Sequence, residues 1–245
     1  MMISTVLFDL DGTLLPMDIE SFMHAYFKEV GRVFSDIMEP DTFIKKLMAA
    51  TNYMVKNLEP CKTNKEVFEE EFARLMGRDI SDIMDRFIHF YSTDFKKLRQ
   101  TVNPNPLCGE IINILITKGY DVVLATNPLF PRVAIEERVR WAGIEVKHFK
   151  TITTFEEMHF CKPNLEYYSE IVEIINNKPE HCLMVGNDVE EDMVARQLGM
   201  KTFLLDAYVI NRTDSPPQVD YQGSYEDLLD FVRNCLPVLE EKDIK

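Results

Sequence analysis

Residues 8–14 read Phe8-Asp9-Leu10-Asp11-Gly12-Thr13-Leu14 (FDLDGTL). Thr5-Val6-Leu7-Phe8 before it form a short apolar run, the pattern of a strand buried on both faces of a parallel sheet. It stops at Asp9, and Asp11 follows two residues later, so both carboxylates project from the strand end toward one place. Gly12 lets the chain turn away without steric cost. In open α/β sheets ligands bind outside the carboxyl ends of strands. Two adjacent carboxylates repel one another and call for a cation. Oxygen ligands favour a hard ion, and magnesium is the usual one in phosphate chemistry. On its own, D-x-D-G is also a common surface turn.

Downstream, strands alternate with helices. Val122–Leu124, Phe149–Thr153, Leu183–Val185 and Thr202–Leu205 read as strands. Helical stripes lie between them: Ile111, Ile112, Leu115 and Ile116, stopped at Gly119; Leu165, Tyr168, Ile171, Val172 and Ile175, stopped before Pro179; Met193, Val194 and Leu198, stopped at Gly199. Ser224 with Asp227 is a capping-box signature opening a last helix. Alternation of this kind predicts right-handed crossovers and an α/β fold with a doubly wound, mainly parallel sheet.

The stretch 16–106 is different. Phe22, Tyr26, Val30 and Phe34 fall at helical spacing, as do Phe43, Ile44, Leu47 and Met48, then Phe68, Phe72, Leu75 and Met76, then Ile83, Met84, Phe87 and Ile88. No run in it alternates at period two. The expected organisation is a core built from residues 1–15 and 107–245, with 16–106 as a helical insertion after the first strand. Its Met and Phe stripes are read as core.

The net charge of -14 repels phosphate-rich polymers, so nucleic acid is not an expected partner. A small phosphorylated molecule needs only a local positive site. The 5 cysteines form no C-x-x-C pair and are read as reduced thiols, which points to a cytoplasmic setting. No basic segment precedes an apolar run at the start of the sequence, so no secretory leader is expected. No stretch approaches the ~20 apolar residues of a membrane helix, so no membrane partner is expected either. The 5 histidines show no metal-ligand spacing, and no glycine-rich phosphate loop follows a strand.

Four segments, taken in order, resemble the motifs of the haloacid dehalogenase-like (HAD) hydrolases. FDLDGTL is similar to motif I; Thr126, in LATN after the second strand, to motif II; Lys162, followed by Pro163, to motif III; and GNDVEED, Gly186–Asp192, with its Asp188 and Asp192, to motif IV. The helical insertion resembles the cap that this superfamily places between motifs I and II. The resemblance implies a Rossmann-like core and a phosphatase using Mg2+ and an aspartyl-phosphate intermediate. Asp9 is then the nucleophile. Asp11 is the acid and base, and its backbone carbonyl is a metal ligand. Thr126 and Asn127 hold phosphate oxygens, and Lys162 offsets charge on Asp9 and the phosphoryl group. The implied metal set is Asp9, Asp11, Asp188 and Asp192, the last directly or through water. The substrate is a small phosphorylated metabolite that the residues do not name.

The alternatives are a phosphomutase of the beta-phosphoglucomutase kind, a dehalogenase and a non-catalytic phosphate-binding protein. Dehalogenases lack the second acidic residue of motif I, so Asp11 favours phosphoryl chemistry. A binding protein would have lost a nucleophile or a ligand, and no motif position is lost.

Overall fold

Strand β1 (Thr5–Phe8) is buried at every position in the computed structural model of the protein, which describes residues 2–213 and 215–240. It lies at the centre of a six-stranded sheet of order β3-β2-β1-β4-β5-β6. The other strands are β2 (Asp121–Leu124), β3 (Thr151–Ile152), β4 (Cys182–Gly186), β5 (Lys201–Leu205) and β6 (Tyr221–Gly223). Every pairing is parallel.

Burial on both faces explains the unbroken apolar runs. Side chains alternate across a strand, so Val6 and Phe8 enter one apolar cluster and Leu7 the other. Val122 and Leu124 join Val6 and Phe8, whereas Val123 and Met184 join Leu7. Helices α5 (Pro106–Thr117), α6 (Arg132–Trp141) and α8 (Tyr225–Asn234) supply the first cluster, and α7 (Leu165–Ile174) supplies the second. The expected doubly wound α/β fold is therefore present.

Between β1 and β2 the regular elements of the described residues are helical: α1 (Ile19–Val33), α2 (Pro40–Val55), α3 (Asn64–Met76), α4 (Ser81–Ser92) and a 3-10 segment over Asp94–Thr101. Aromatic rings hold this layer together. Phe34 stacks on Phe43 at 4.7 Å between centroids and meets Phe87 at 4.4 Å, and Phe43 meets Phe72 edge-on at 5.7 Å. Such pairs contribute about 0.5–1.5 kcal/mol each beyond their buried area. The chain enters and leaves the layer side by side: Met17 bridges Val102, and Asn103 N–H donates to the Pro16 carbonyl at 2.8 Å. No described helix is long and apolar enough to cross a membrane.

Four elements differ from the sequence reading. Helix α6 carries charges at Arg132, Glu136, Glu137, Arg138 and Arg140, which break the apolar stripe that would reveal it. The short edge strand β6 has two exposed residues out of three and no apolar run. Strand β3 is confined to Thr151–Ile152 within the expected 149–153, being paired only to β2. Residues Met193–Leu198 wind as a 3-10 helix rather than an α-helix.

Candidate active site

The order of the sheet fixes where a site can form. The chain runs outward from β1 through β2 to β3, then crosses back to begin β4 on the other side of β1. That reversal opens a crevice beyond the carboxyl ends of β1 and β4. Asp9 follows β1 directly, and its backbone N–H donates to the Val185 carbonyl on β4 at 2.9 Å. Asp188 lies two residues beyond the end of β4.

Two glycines allow the loops to close on one another. Gly12 has φ +86°, and a Cβ there would lie 2.4 Å from the Asn187 side chain. The two loops are tied at that point by the Thr13 hydroxyl, which donates to Asn187 Oδ1 at 2.9 Å. Gly186 is needed for space: a Cβ would fall 2.1 Å from a carboxylate oxygen of Asp192.

That approach sets Asp192. Its Oδ2 accepts from the backbone N–H groups of Asn187 and Asp188 at 3.1 and 3.0 Å, and its Oδ1 accepts from Lys162 Nζ at 2.6 Å. Both oxygens are thus occupied by protein donors. In this placement Asp192 closes the turn after β4 and holds Lys162.

Lys162 Nζ also donates to Asp9 Oδ1 at 2.8 Å. Burial disfavours its ammonium, but Asp192 and Asp9 outweigh burial and hold its pKa well above the ordinary lysine value. Burial likewise pushes the Asp192 carboxyl up, and Lys162 pulls against it. With three donors on Asp192, the proton of the pair resides on Lys162. One cation so bridges two carboxylates from different loops.

Thr126 and Asn127 follow β2. The Thr126 carbonyl accepts from Thr153 Oγ1 at 2.7 Å and from the Tyr167 hydroxyl at 2.8 Å, which fixes the backbone at this point. Asn127 Oδ1 accepts from Lys162 N–H at 3.2 Å, and Asn127 Nδ2 donates to Glu191 Oε2 at 3.0 Å. Asp9, Asp11, Thr126, Asn127, Asp188 and Asp192 all line one cavity of about 590 Å³ between the sheet and the helical layer, with Lys162 buried beneath it.

Two arginines enter that the sequence did not single out. Arg138 of α6 is fully buried and donates through Nη1 to Asp11 Oδ2. Its guanidinium sits 4.4 Å from the Phe130 ring centroid. Its Nη2 and Asp11 Oδ1 are buried without a hydrogen-bond partner among the described residues. Burial pushes the Asp11 carboxyl up, Arg138 draws it down, and the Asp9 carboxylate adds to the rise; the net direction is upward. Arg212 donates to both oxygens of Asp188, at 2.8 and 2.7 Å, and to Glu190 at 3.0 Å. The helical phase placing Arg138 beside Ala134, Ile135 and Val139 is a sequence signal for burial. Arg212 lies in the loop between β5 and β6 and has none.

The donor set suits a hard cation only in part. Among the described residues no three His, Cys, Asp or Glu side chains are grouped to hold a metal. Asp9 and Asp188 supply carboxylates, so a third protein oxygen has to come from backbone. Arg212 meanwhile places positive charge on both Asp188 oxygens.

Comparisons with known proteins agree with this architecture. A family model of haloacid dehalogenase-like hydrolases matches residues 6–205. The chain is 22% identical over 246 residues to the pyrophosphatase PpaX of Bacillus cereus (strain Q1), covering 98% of each. It is 24% identical to PpaX of Halalkalibacterium halodurans, covering 95% of this chain and 98% of that protein. Among solved structures, a HAD phosphatase from Thermococcus onnurineus superposes with TM-score 0.61 at 15% identity, over 97% of this chain and 100% of that one. The HAD-hydrolase YfnB from Bacillus subtilis, bound to magnesium, gives 0.57 at 19% identity over 95% and 100%. The L-2-haloacid dehalogenase from Xanthobacter autotrophicus gives 0.57 at 16% identity over 95% and 99%. At these identities the structural likeness establishes the fold alone. The family match covers most of the chain together with its four motif loops, and the protein belongs to the haloacid dehalogenase-like hydrolases.

Proposed function

We propose that this protein is a phosphatase in which Asp9 is transiently phosphorylated. The observation that carries the reading is Lys162 Nζ, held 2.8 Å from Asp9 at the floor of the cavity, with Asp11 beside it. A buried ammonium suits a site that must receive a phosphoryl dianion next to a carboxylate. At about 4 Å and an effective dielectric of 20, one such charge pair is worth roughly 4 kcal/mol before desolvation.

An Asp9 oxygen forms a bond to phosphorus as the bond from phosphorus to the leaving oxygen breaks. Asp11 gives its proton to that leaving oxygen, and the upward shift of its carboxyl favours the protonated form this step needs. Water then attacks phosphorus, its proton passes to Asp11, and the Asp9 carboxylate is restored. Thr126, Asn127 and Lys162 hold the phosphoryl oxygens. Asp192 keeps Lys162 in place.

Asp9, the Asp11 carbonyl and Asp188 are the residues that would hold a divalent cation of the magnesium type, with Arg212 giving up Asp188. When bound, such an ion neutralises charge that develops on the phosphoryl oxygens. Residues 16–106 act as the cap over the core, which the chain enters and leaves where Met17 bridges Val102. The cap excludes bulk water from the intermediate. The name of the PpaX relatives makes pyrophosphate one substrate to test.

The test is release of inorganic phosphate from a panel of phosphorylated compounds with magnesium, compared with Asp9→Asn and with excess chelator. Both controls are expected to abolish release. Near-normal turnover by Asp9→Asn refutes the nucleophile, and an isomeric sugar phosphate as product refutes hydrolysis in favour of a mutase.

A further inference from the structure

The walls of the cavity differ in chemistry from its floor. Above Asp9 they are formed by Met23 and Phe27 of α1, Met84 of α4, and Leu129 and Phe130 after β2, all half-buried and facing the space. Thioether and aromatic side chains offer polarizable, shape-tolerant contact to an apolar group and no donors to a hydroxylated or ionic one. Tyr26 and Tyr91 also line the cavity, but their hydroxyls bond one another at 2.8 Å.

Charge separates the possibilities further. The cationic side chains lining the cavity, among the described residues, are Lys65 and Arg212. Arg212 is bound to Asp188 and Glu190, and Lys65 Nζ lies 3.9 Å from Glu69. The same walls carry the carboxylates of Glu69, Asp85 and Glu156. Glu156 is held there by the Arg132 backbone N–H, at 3.1 and 3.0 Å to its two oxygens. A leaving group bearing a second phosphate or a carboxylate would meet three acids and two cations, of which Arg212 keeps Glu190 when it gives up Asp188 and Lys65 faces Glu69, so no net positive charge remains to receive it.

We infer that the substrate is a phosphate monoester of an apolar, uncharged alcohol or phenol, not pyrophosphate or a phosphorylated carboxylic acid. This rests on the phosphatase reading of the same site.

The experiment compares 1-naphthyl phosphate, 4-carboxyphenyl phosphate and pyrophosphate as substrates with magnesium. The two aryl esters have similar leaving phenols and differ mainly in charge. The naphthyl ester is expected to exceed the carboxylated ester in kcat/KM by about tenfold or more, the scale on which one apolar pocket discriminates. Met84→Lys, which places an amine on the apolar wall, is expected to reduce or invert that ratio. Equal or better turnover of the carboxylated ester or of pyrophosphate overturns the inference. Binding of 1-naphthylphosphonate against 4-carboxyphenylphosphonate, which cannot be hydrolysed, is measured alongside. Preferential binding of the naphthyl compound with no phosphate released from any ester refutes the phosphatase reading and upholds the pocket chemistry. Equal or weaker naphthyl binding refutes the pocket chemistry whatever the turnover.

Discussion

Replacing Arg138 by Met removes the guanidinium and keeps most of the side-chain volume. Arg138 is fully buried and the Asp11 side chain is 19% exposed, so the lost partner leaves a largely desolvated carboxylate. Breaking such a pair costs about 3–5 kcal/mol. The cost has a ceiling, because Asp11 can protonate instead. From an ordinary Asp value near ~3.9 to pH 7 is about three pH units, which at 1.36 kcal/mol each is about 4 kcal/mol. The sign follows from linkage. In the variant the folded-state value of Asp11 rises further above the unfolded one, so the folded protein binds the extra proton between the two. Stability therefore falls as pH rises through that window. The variant is expected to be less stable than the parent by about 3–4 kcal/mol at pH 7, and by about 1.4 kcal/mol less for each unit the pH is lowered toward 5. Urea denaturation at pH 7, 6 and 5 measures this. The double variant Asp11→Asn/Arg138→Met is expected to recover most of the loss, since no charge is stranded. A loss below about 1 kcal/mol at pH 7, no dependence on pH, or no recovery in the double variant refutes the buried-pair reasoning.

Lys162→Met strands Asp192 and Asp9 together and is expected to destabilise by about 3–5 kcal/mol in urea denaturation; a loss under about 1 kcal/mol contradicts the bridge. Gly186→Ala drives a methyl onto the Asp192 carboxylate and is expected to cost about 1–3 kcal/mol and to slow turnover through displaced Lys162; unchanged stability and rate contradict that packing. Arg212→Ala frees Asp188 from a half-exposed guanidinium whose pairing is worth about 0.2–1 kcal/mol, so magnesium binding by calorimetry is expected to tighten by up to about fivefold. Weaker binding in that variant contradicts Arg212 as a competitor for the metal position.

The elements legible in the sequence are those whose environment is uniform. Strands β1, β2, β4 and β5 are covered on both faces beyond their first residues, so each carries a run of apolar residues there. The helices of 16–106 carry broad aromatic stripes because each packs one face on a shared core. Asp9 and Asp11 were legible from the end of β1 itself, whereas Thr126, Asn127, Lys162 and Asp188 were gathered only through the resemblance of their segments to the family's ordered motifs. Helix α6 escaped because Arg138 occupies a position where burial ordinarily demands an apolar residue. The residue that hides the helix is the one that reaches Asp11. Arg212 escaped for a different reason: its loop has no periodic pattern, and only the folded chain brings it 24 residues back to Asp188. The orientation of Asp192 toward backbone N–H groups follows from Gly186, whose requirement is close approach and not a positive φ. Spacing alone does not show that.

In the proposed reaction Asp9 carries the phosphoryl group. Acid quenching during steady-state turnover, followed by reduction of acyl phosphate with borohydride and peptide mass analysis, tests it most directly. Asp9 is expected to be recovered as homoserine, with Asp11, Asp188 and Asp192 unchanged. Modification at any of those three, or continued phosphate release with no residue modified, would contradict it.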